Sequence, residues 1–237
     1  MAEVTNNRLL RALSRETRTA VLERCARVEI PGRVMLAEAG EPMPAVHFPE
    51  TMVVSSLATY GDGSTIEMAN IGREACTAIG PTLGRDRALS ALQTRIGGAA
   101  LELPLGAFYA LKEARPDFEA ALFASLQAMF HQVMVSAACN GAHDAKRRLA
   151  RWLLTMADRT DGETMRLTHD FLAEMLCVRR ATVTGAAMDL RDAGLIDYGR
   201  GRVTITDRDG LRRASCECYA MVRETQDALL PPNVADA

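Results

Sequence analysis

Residues 168–194 read THDFLAEMLCVRRATVTGAAMDLRDAG, and this stretch decides the fold. Thr168 is the kind of residue that caps a helix, its hydroxyl accepting from a first-turn N–H. Phe171, Leu172, Met175 and Leu176 then recur at helical spacing and give one apolar face. The segment Cys177-Val178-Arg179-Arg180 breaks the pattern, with Val178 as an apolar plug. A second helix starts near Ala181 with Val183, Ala187 and Leu190 inward, and Gly194 ends it. Leu195-Ile196-Asp197-Tyr198 and Arg202-Val203-Thr204-Ile205-Thr206 flank Gly199-Arg200-Gly201, which reads as a β-hairpin. Two helices joined by a tight turn and followed by a hairpin make a winged helix-turn-helix. Arginine bonds guanine edges or phosphates, and threonine hydroxyls bond either partner. The expected DNA contacts are therefore Arg179, Arg180, Thr182 and Thr184 at the second helix, Thr168 before the first, and Arg200 and Arg202 on the wing.

Before this unit, residues 144–159 form an amphipathic helix on Leu149, Trp152, Leu153 and Met156. Asp161-Gly162 is a turn and Met165-Arg166-Leu167 a short strand. Residues 117–140 contain no proline and no interior glycine. Leu122, Leu126, Met129, Val133, Ser136 and Asn140 step by four and three, a heptad seam that predicts a dimer helix. Phe118, Phe123, Phe130 and Met134 make a second stripe on its flank. One stripe would face the N-terminal domain and the other a partner helix.

From Val34 to Leu105 short apolar runs alternate with turn residues. The runs are 34–36, 45–48, 52–57, 65–69, 92–96 and 99–103, with Gly40-Glu41-Pro42, Asp62-Gly63 and Gly97-Gly98 between them. Strands at such spacing predict a β-barrel or sandwich. Residues 5–28 carry a helical pattern, with Ser14 able to start a second short helix, and Pro31-Gly32 stops it. Residues 231–237 read as a frayed end.

The composition of the 237 residues is that of a globular chain, with 48% hydrophobic and 24% charged residues. A net charge of −2 excludes a polybasic coat, although residues 144–213 carry +3. Arginine outnumbers lysine 26 to 2, which suggests a GC-rich bacterial genome. No apolar run reads as a membrane span and the N-terminus has no signal design, so a cytoplasmic location is expected. Six cysteines are scattered. Cys216-Glu217-Cys218 is the closest pair, but no second pair or histidine lies near it in sequence, so no metal site is expected. No nucleophile elbow, P-loop or metal-hydrolase motif is present, and an enzyme is not expected.

The order of parts resembles the Crp/Fnr family of bacterial transcription regulators, from about Leu9 to Leu211. The strongest part is Leu167 to Thr206, and the turns at Pro31-Gly32, Gly40-Glu41 and Asp62-Gly63 also fall where the family has them. The resemblance implies an α+β chain. It would have an N-terminal β-roll (a cyclic-nucleotide-binding-like jelly roll) with flanking helices over 1–116 and a dimerisation helix and hinge over 117–143. A winged helix-turn-helix over 144–215 and a tail over 216–237 would follow. It implies a homodimer on a two-fold symmetric site in double-stranded DNA, with RNA polymerase as a further partner. A small-molecule effector in the β-roll would shift the helix pair and so the spacing of the recognition helices.

By position, Arg180 matches the family's base-contacting arginine. Ala181 stands where the best-known members have glutamate, and Gly185 where they have a second arginine. The family's nucleotide pocket maps to Gly72, Arg73 and Glu74 for the ribose, and to Ser90 and Ala91 for the phosphate. Leu89 occupies the place of the phosphate-binding arginine. A buried anion there lacks its cation, so the effector is expected to be no ordinary cyclic nucleotide, or absent, with Arg85, Arg87 or Arg95 as the possible substitutes. Only Cys25 lies near the N-terminus, which argues against the family's iron–sulfur cluster. His47 reads as structural rather than a haem ligand, no cofactor is expected, and Cys76 and Cys139 are the candidate redox thiols. The rival reading is a ligand- or redox-sensing module that acts through protein partners without DNA.

Overall fold

The computed structural model describes residues 5–199 and 201–231. In chain order the elements are α1 (Arg8–Arg11), α2 (Arg15–Leu22), β1 (Ala26–Ile30), β2 (Met35–Ala37), β3 (Ala45–Pro49), β4 (Val53–Thr59), β5 (Thr65–Ile71) and α3 (Ile79–Thr82). Then come β6 (Ala91–Ile96), β7 (Gly98–Pro104), α4 (Leu105–Ala114), α5 (Pro116–Ala142) and α6 (Ala145–Arg159). The chain continues through β8 (Thr164–Arg166), α7 (His169–Leu176), α8 (Arg180–Asp192), β9 (Ile196–Gly199), β10 (Arg202–Ile205), α9 (Arg208–Ala214) and α10 (Cys218–Leu229). The expected α+β class holds. The four expected segments resolve into two compact units, 1–131 with 224–237, and 132–223, so the divisions fall inside α5 and α10. The 216–237 segment expected as a tail is mostly α10. Residues 232–237, the greater part of the stretch expected to fray, lie outside the described residues.

The first unit is built on two antiparallel sheets, β1-β7-β3 and β2-β6-β4-β5. Asp62-Gly63 makes the β4–β5 hairpin, with Gly63 at φ +82°. Gly97 is required by a close approach, since a Cβ there would fall 2.6 Å from the Gly32 nitrogen. Ser14 caps α2, accepting from the Thr17 N–H at 3.3 Å. One core cluster joins Leu9, Leu10, Val21, Phe48, Leu103 and Phe108 to Phe118 and Leu122 of α5. A second joins Met52, Val54, Ile71 and Leu92 to Met129.

Three expectations are corrected in this unit. The helical reading of 5–28 ran too far, because Ala26–Ile30 is strand β1, antiparallel to β7. Ala26, Val28 and Ile30 alternate there with Arg27 and Glu29, and Val28 and Ile30 are half-buried against the second core cluster. The seam assigned to α5 is also turned round. Leu122 and Met129 are buried in the chain's own core, whereas Phe123, Phe130 and Met134 are 46%, 63% and 48% exposed. Leu126, Val133 and Ser136 are half-buried, and Phe118 of the second stripe is fully buried. Both stripes are apolar, and only the packing of the first against the sheets tells them apart. Third, α5 is long and apolar enough to cross a membrane by length and composition alone.

Candidate nucleic-acid interface

The second unit has a three-stranded antiparallel sheet, β8-β10-β9, and a helical core. Asp144 caps α6, accepting from the Arg147 N–H at 2.9 Å. The four residues expected inward on α6, Leu149, Trp152, Leu153 and Met156, are all buried. Trp152 meets Phe171 of α7 edge to face, with ring centroids 5.8 Å apart. Val183, Ala186, Ala187 and Leu190 form the buried face of α8.

Thr168 caps α7 as expected, its hydroxyl accepting from the Phe171 N–H at 3.2 Å. Cys177 then adopts the left-handed conformation (φ 50°, ψ 47°), and the Val178 N–H bonds the Ala173 carbonyl at 3.1 Å. Buried Arg148 of α6 donates to the Leu176 carbonyl, placing a cation at the negative end of α7. The turn is therefore held from beneath, and it delivers Arg179 as the cap residue of α8 and Arg180 as its first residue.

The sequence-predicted DNA contacts fall into three groups. Arg179, Arg180 and Thr182 are exposed at the start of α8. Arg180 Nε lies 3.4 Å from Asp170 Oδ1, an ion pair with both side chains about two-thirds exposed. Thr184 is half-buried, and its hydroxyl meets His169 Nδ1 and the Arg180 carbonyl, each at 3.1 Å, so it is engaged inside the unit. Thr168 is exposed but its oxygen is occupied by the cap. Arg202 is exposed on β10, beside a surface cleft of about 320 Å³ lined also by Asp197, Gly199 and Thr204. Arg200 lies outside the described residues.

The residues 147–214 match the family model of the Crp-like helix-turn-helix domain. This segment is a Crp-like helix-turn-helix domain. The chain also has the Crp/Fnr fold. It is similar to FixK2 from Bradyrhizobium japonicum, with a TM-score of 0.68 and 16% identity over 81% of this chain and 98% of that one. It is similar to CLP of Xanthomonas campestris, described as a c-di-GMP responsive global regulator, with a TM-score of 0.62 and 18% identity over 81% and 99%. TTHB099, a CRP-family transcriptional regulator from Thermus thermophilus, gives 0.61 and 18% over 80% and 96%. Among curated proteins the sequence finds no match.

Sequence reasoning missed three features of the Crp-like domain. Arg166 of β8 is exposed and stands directly across from Arg202 in the β8–β10 register. The register itself, readable only once the hairpin is extended to a third strand, was the absent signal. His169 stacks on Tyr198 of β9 at 4.5 Å and so ties the wing to α7. Partial burial and then Arg180 lower its pKa, against Asp170. The outward face of α8 carries Ala181, Gly185 and Met188, with Met188 47% exposed, and beyond the first turn its exposed polar side chains are Asp189, Arg191 and Asp192 at the far end.

The effector candidates sit in the first unit. Glu74 is buried and its carboxylate accepts from the Gly72 N–H at 3.2 Å. Arg73 is half-buried. Ser90 is buried and its hydroxyl pairs with Ser56 at 2.7 Å, Ala91 is buried, and Leu89 is 55% exposed. Of the substitute arginines, Arg85 and Arg87 are exposed. Arg95 lies on β6 in a polar group, donating to Ser55 at 3.2 Å and Gln93 at 3.3 Å, while Ser55 also bonds Glu67.

The candidate redox thiols separate clearly. Burial pushes Cys76 up to about 12, which makes it a poor thiolate. His47 is buried and pairs with Glu102 at 3.1 Å, in keeping with a structural role. The expectation that Cys216 and Cys218 have no partner is corrected, because Cys139 and His143 come to within reach of them.

Proposed function

We propose that this chain is a homodimeric, sequence-specific DNA-binding transcription regulator that reads the major groove with the first turn of α8. The observation that carries the reading is the exposed Arg179-Arg180 pair, delivered by a buttressed turn in a Crp-like helix-turn-helix domain. Arg180 reaches base edges, Arg179 and Thr182 hold phosphates, and Arg166, Arg202 and Arg200 of the wing follow the adjacent backbone. The second copy seats on the outward stripe Phe123, Phe130 and Met134 of α5, with half-buried Leu126 and Val133 beside it. Phe123 and Phe130 are one heptad apart. Two-fold pairing puts the recognition helices in successive major grooves about 34 Å apart. The effector, where one exists, is no ordinary cyclic nucleotide: Leu89 is exposed where a phosphate-binding arginine would stand, and the Ser90 hydroxyl is spent on Ser56.

The test is selection of genomic fragments by purified protein, followed by binding titrations on the recovered site. A palindromic site is expected, and Arg180→Ala should weaken binding by about 1–3 kcal/mol per half-site and relax specificity there. Equal binding by that variant to the same site would refute the assignment of α8. One observation favours a second reading, a module acting through protein partners: the centre of the outward face of α8 is apolar. A steep fall of affinity with salt would exclude it.

A further inference from the structure

The end of α5 and the start of α10 bring four metal-ligating side chains to one point within the second unit. Cys139 lies in the last turn of α5 and His143 just past its end, where the His143 N–H bonds the Cys139 carbonyl at 3.1 Å and continues the helical spacing. Cys216 and Cys218 bracket Glu217 where α10 begins. Cys139 Sγ is 3.5 Å from Cys216 Sγ, and Cys218 Sγ is 3.7 Å from His143 Nδ1. All four ligand atoms lie within 4.8 Å of one another. The three sulfurs are buried and His143 is half-buried, in a small apolar cluster with Val135 and Val222. A tetrahedral zinc with sulfurs at about 2.3 Å and a nitrogen at about 2.0–2.1 Å has ligand–ligand edges of roughly 3.5–3.8 Å. The two edges seen here have that length, whereas a four-iron cluster needs its thiolates further apart.

The surroundings fit the same ion. His143 Nε2 lies 3.3 Å from the Glu217 carboxylate, so Nε2–H is the donor and Nδ1 is left bare toward the sulfurs. A carboxylate behind a ligating histidine fixes its tautomer and its orientation. The Cys-Glu-Cys segment thus supplies two ligands and the group that aims a third. Three thiolates and a dication leave a charge of −1, and the positive charge of Arg151 acts on all three sulfurs. A four-ligand Cys₃His set leaves no open position and is the set of a structural site.

We propose that Cys139, His143, Cys216 and Cys218 bind one zinc ion, which fastens the start of α10 to the end of α5. Binding converts three thiols to thiolates and releases three protons, with no change of oxidation state.

The full-length protein is purified with reductant and without chelator, and its metal content is measured by mass spectrometry. One zinc per chain is expected. Cobalt substituted for zinc should give the intense visible absorption of tetrahedral sulfur ligation. Cys139→Ser, Cys216→Ser and Cys218→Ser should each lose stoichiometric metal. Cys177→Ser, an exposed thiol outside the cluster, should keep it. Glu217→Gln should still bind one ion, about 10–100-fold more weakly. Should a cysteine variant fail to fold, cobalt titration of chelator-stripped wild type and of Glu217→Gln decides instead. The proposal is overturned by chains free of metal with all six thiols titratable, by a Cys139–Cys216 disulfide in the reduced preparation, by stoichiometric iron and sulfide, or by cobalt spectra that Cys139→Ser leaves unchanged.

Discussion

Replacing Asp170 with asparagine should tighten DNA binding, and the structure sets the size of the gain. Arg180 must leave Asp170 before it can reach a base edge. At 3.4 Å, two unit charges in a water-like dielectric attract by about 1 kcal/mol. Both side chains are about two-thirds exposed, so screening and side-chain freedom bring the pair down to about 0.2–1 kcal/mol. A dimer releases two such pairs, so Asp170→Asn should strengthen binding by roughly 2–30-fold at fixed salt. Fluorescence anisotropy on the selected site measures it, repeated in the Arg180→Ala background as a double-mutant cycle. Asp170 also lies in the first turn of α7, where a carboxylate favours the helix by about 0.3–1 kcal/mol. Denaturant unfolding reads that separate loss. Unchanged or weaker binding by Asp170→Asn would refute the competition. So would a gain that persists in full when Arg180 is already alanine, because it would then arise from the lost acidic charge alone.

Phe130→Ala should weaken self-association by about 1,000-fold in sedimentation experiments. The 63%-exposed ring is lost from both protomers, at about 25 cal/mol per Å². Wild-type association in that variant would place the partner elsewhere. Cys177→Gly should stabilise the second unit by about 0.5–1 kcal/mol in urea melts, because a side chain at φ 50° is strained, less the entropy glycine gains when unfolded. His169, with its folded pKa below the unfolded 6.5, takes up its proton first in the unfolded chain. Its contribution to stability is present above pH 6.5 and is lost as pH falls through the folded pKa. His169→Gln should flatten that part of the wild-type pH profile, and the same difference taken at His47 reads the first unit separately.

The helix-turn-helix was legible because its signals are local. The cap at Thr168, the apolar face of α7 and the inward residues of α8 are one-turn patterns, and each is found in place. The strands of the first unit were legible for the same reason, through alternation and glycine turns. Strand β1 was not, although Ala26, Val28 and Ile30 alternate with Arg27 and Glu29, because no glycine or proline separates this short run from the helical pattern before it. Which stripe of α5 faces inward could not be read either, because both stripes are apolar and the choice is made by Phe48, Phe108 and the sheets. The left-handed turn at Cys177 has no glycine to announce it. The Cys₃His cluster was hidden by separation, its close pairs lying 77 and 75 residues apart in the chain.

Local rules fail together on one surface of the Crp-like domain. Arg166 and Arg202 are like charges directly opposite on adjacent strands, an arrangement that destabilises a sheet. Cys177 holds a backbone conformation that costs energy in every residue but glycine. Gly185 lies inside α8, where it costs about 0.8–1 kcal/mol relative to alanine, yet a Cβ there would meet nothing within 4 Å. Packing within the domain therefore does not require that glycine. These conflicts sit on the wing, the turn and the outward face of α8, and none of the four residues belongs to the buried core. A phosphate between Arg166 and Arg202 would remove their repulsion, and a bare backbone at Gly185 would let α8 approach a groove wall closely. The arginine pair and Gly185, unfavourable in the free protein, would thus become favourable on DNA, which is the pattern expected where binding, rather than stability, has set the sequence.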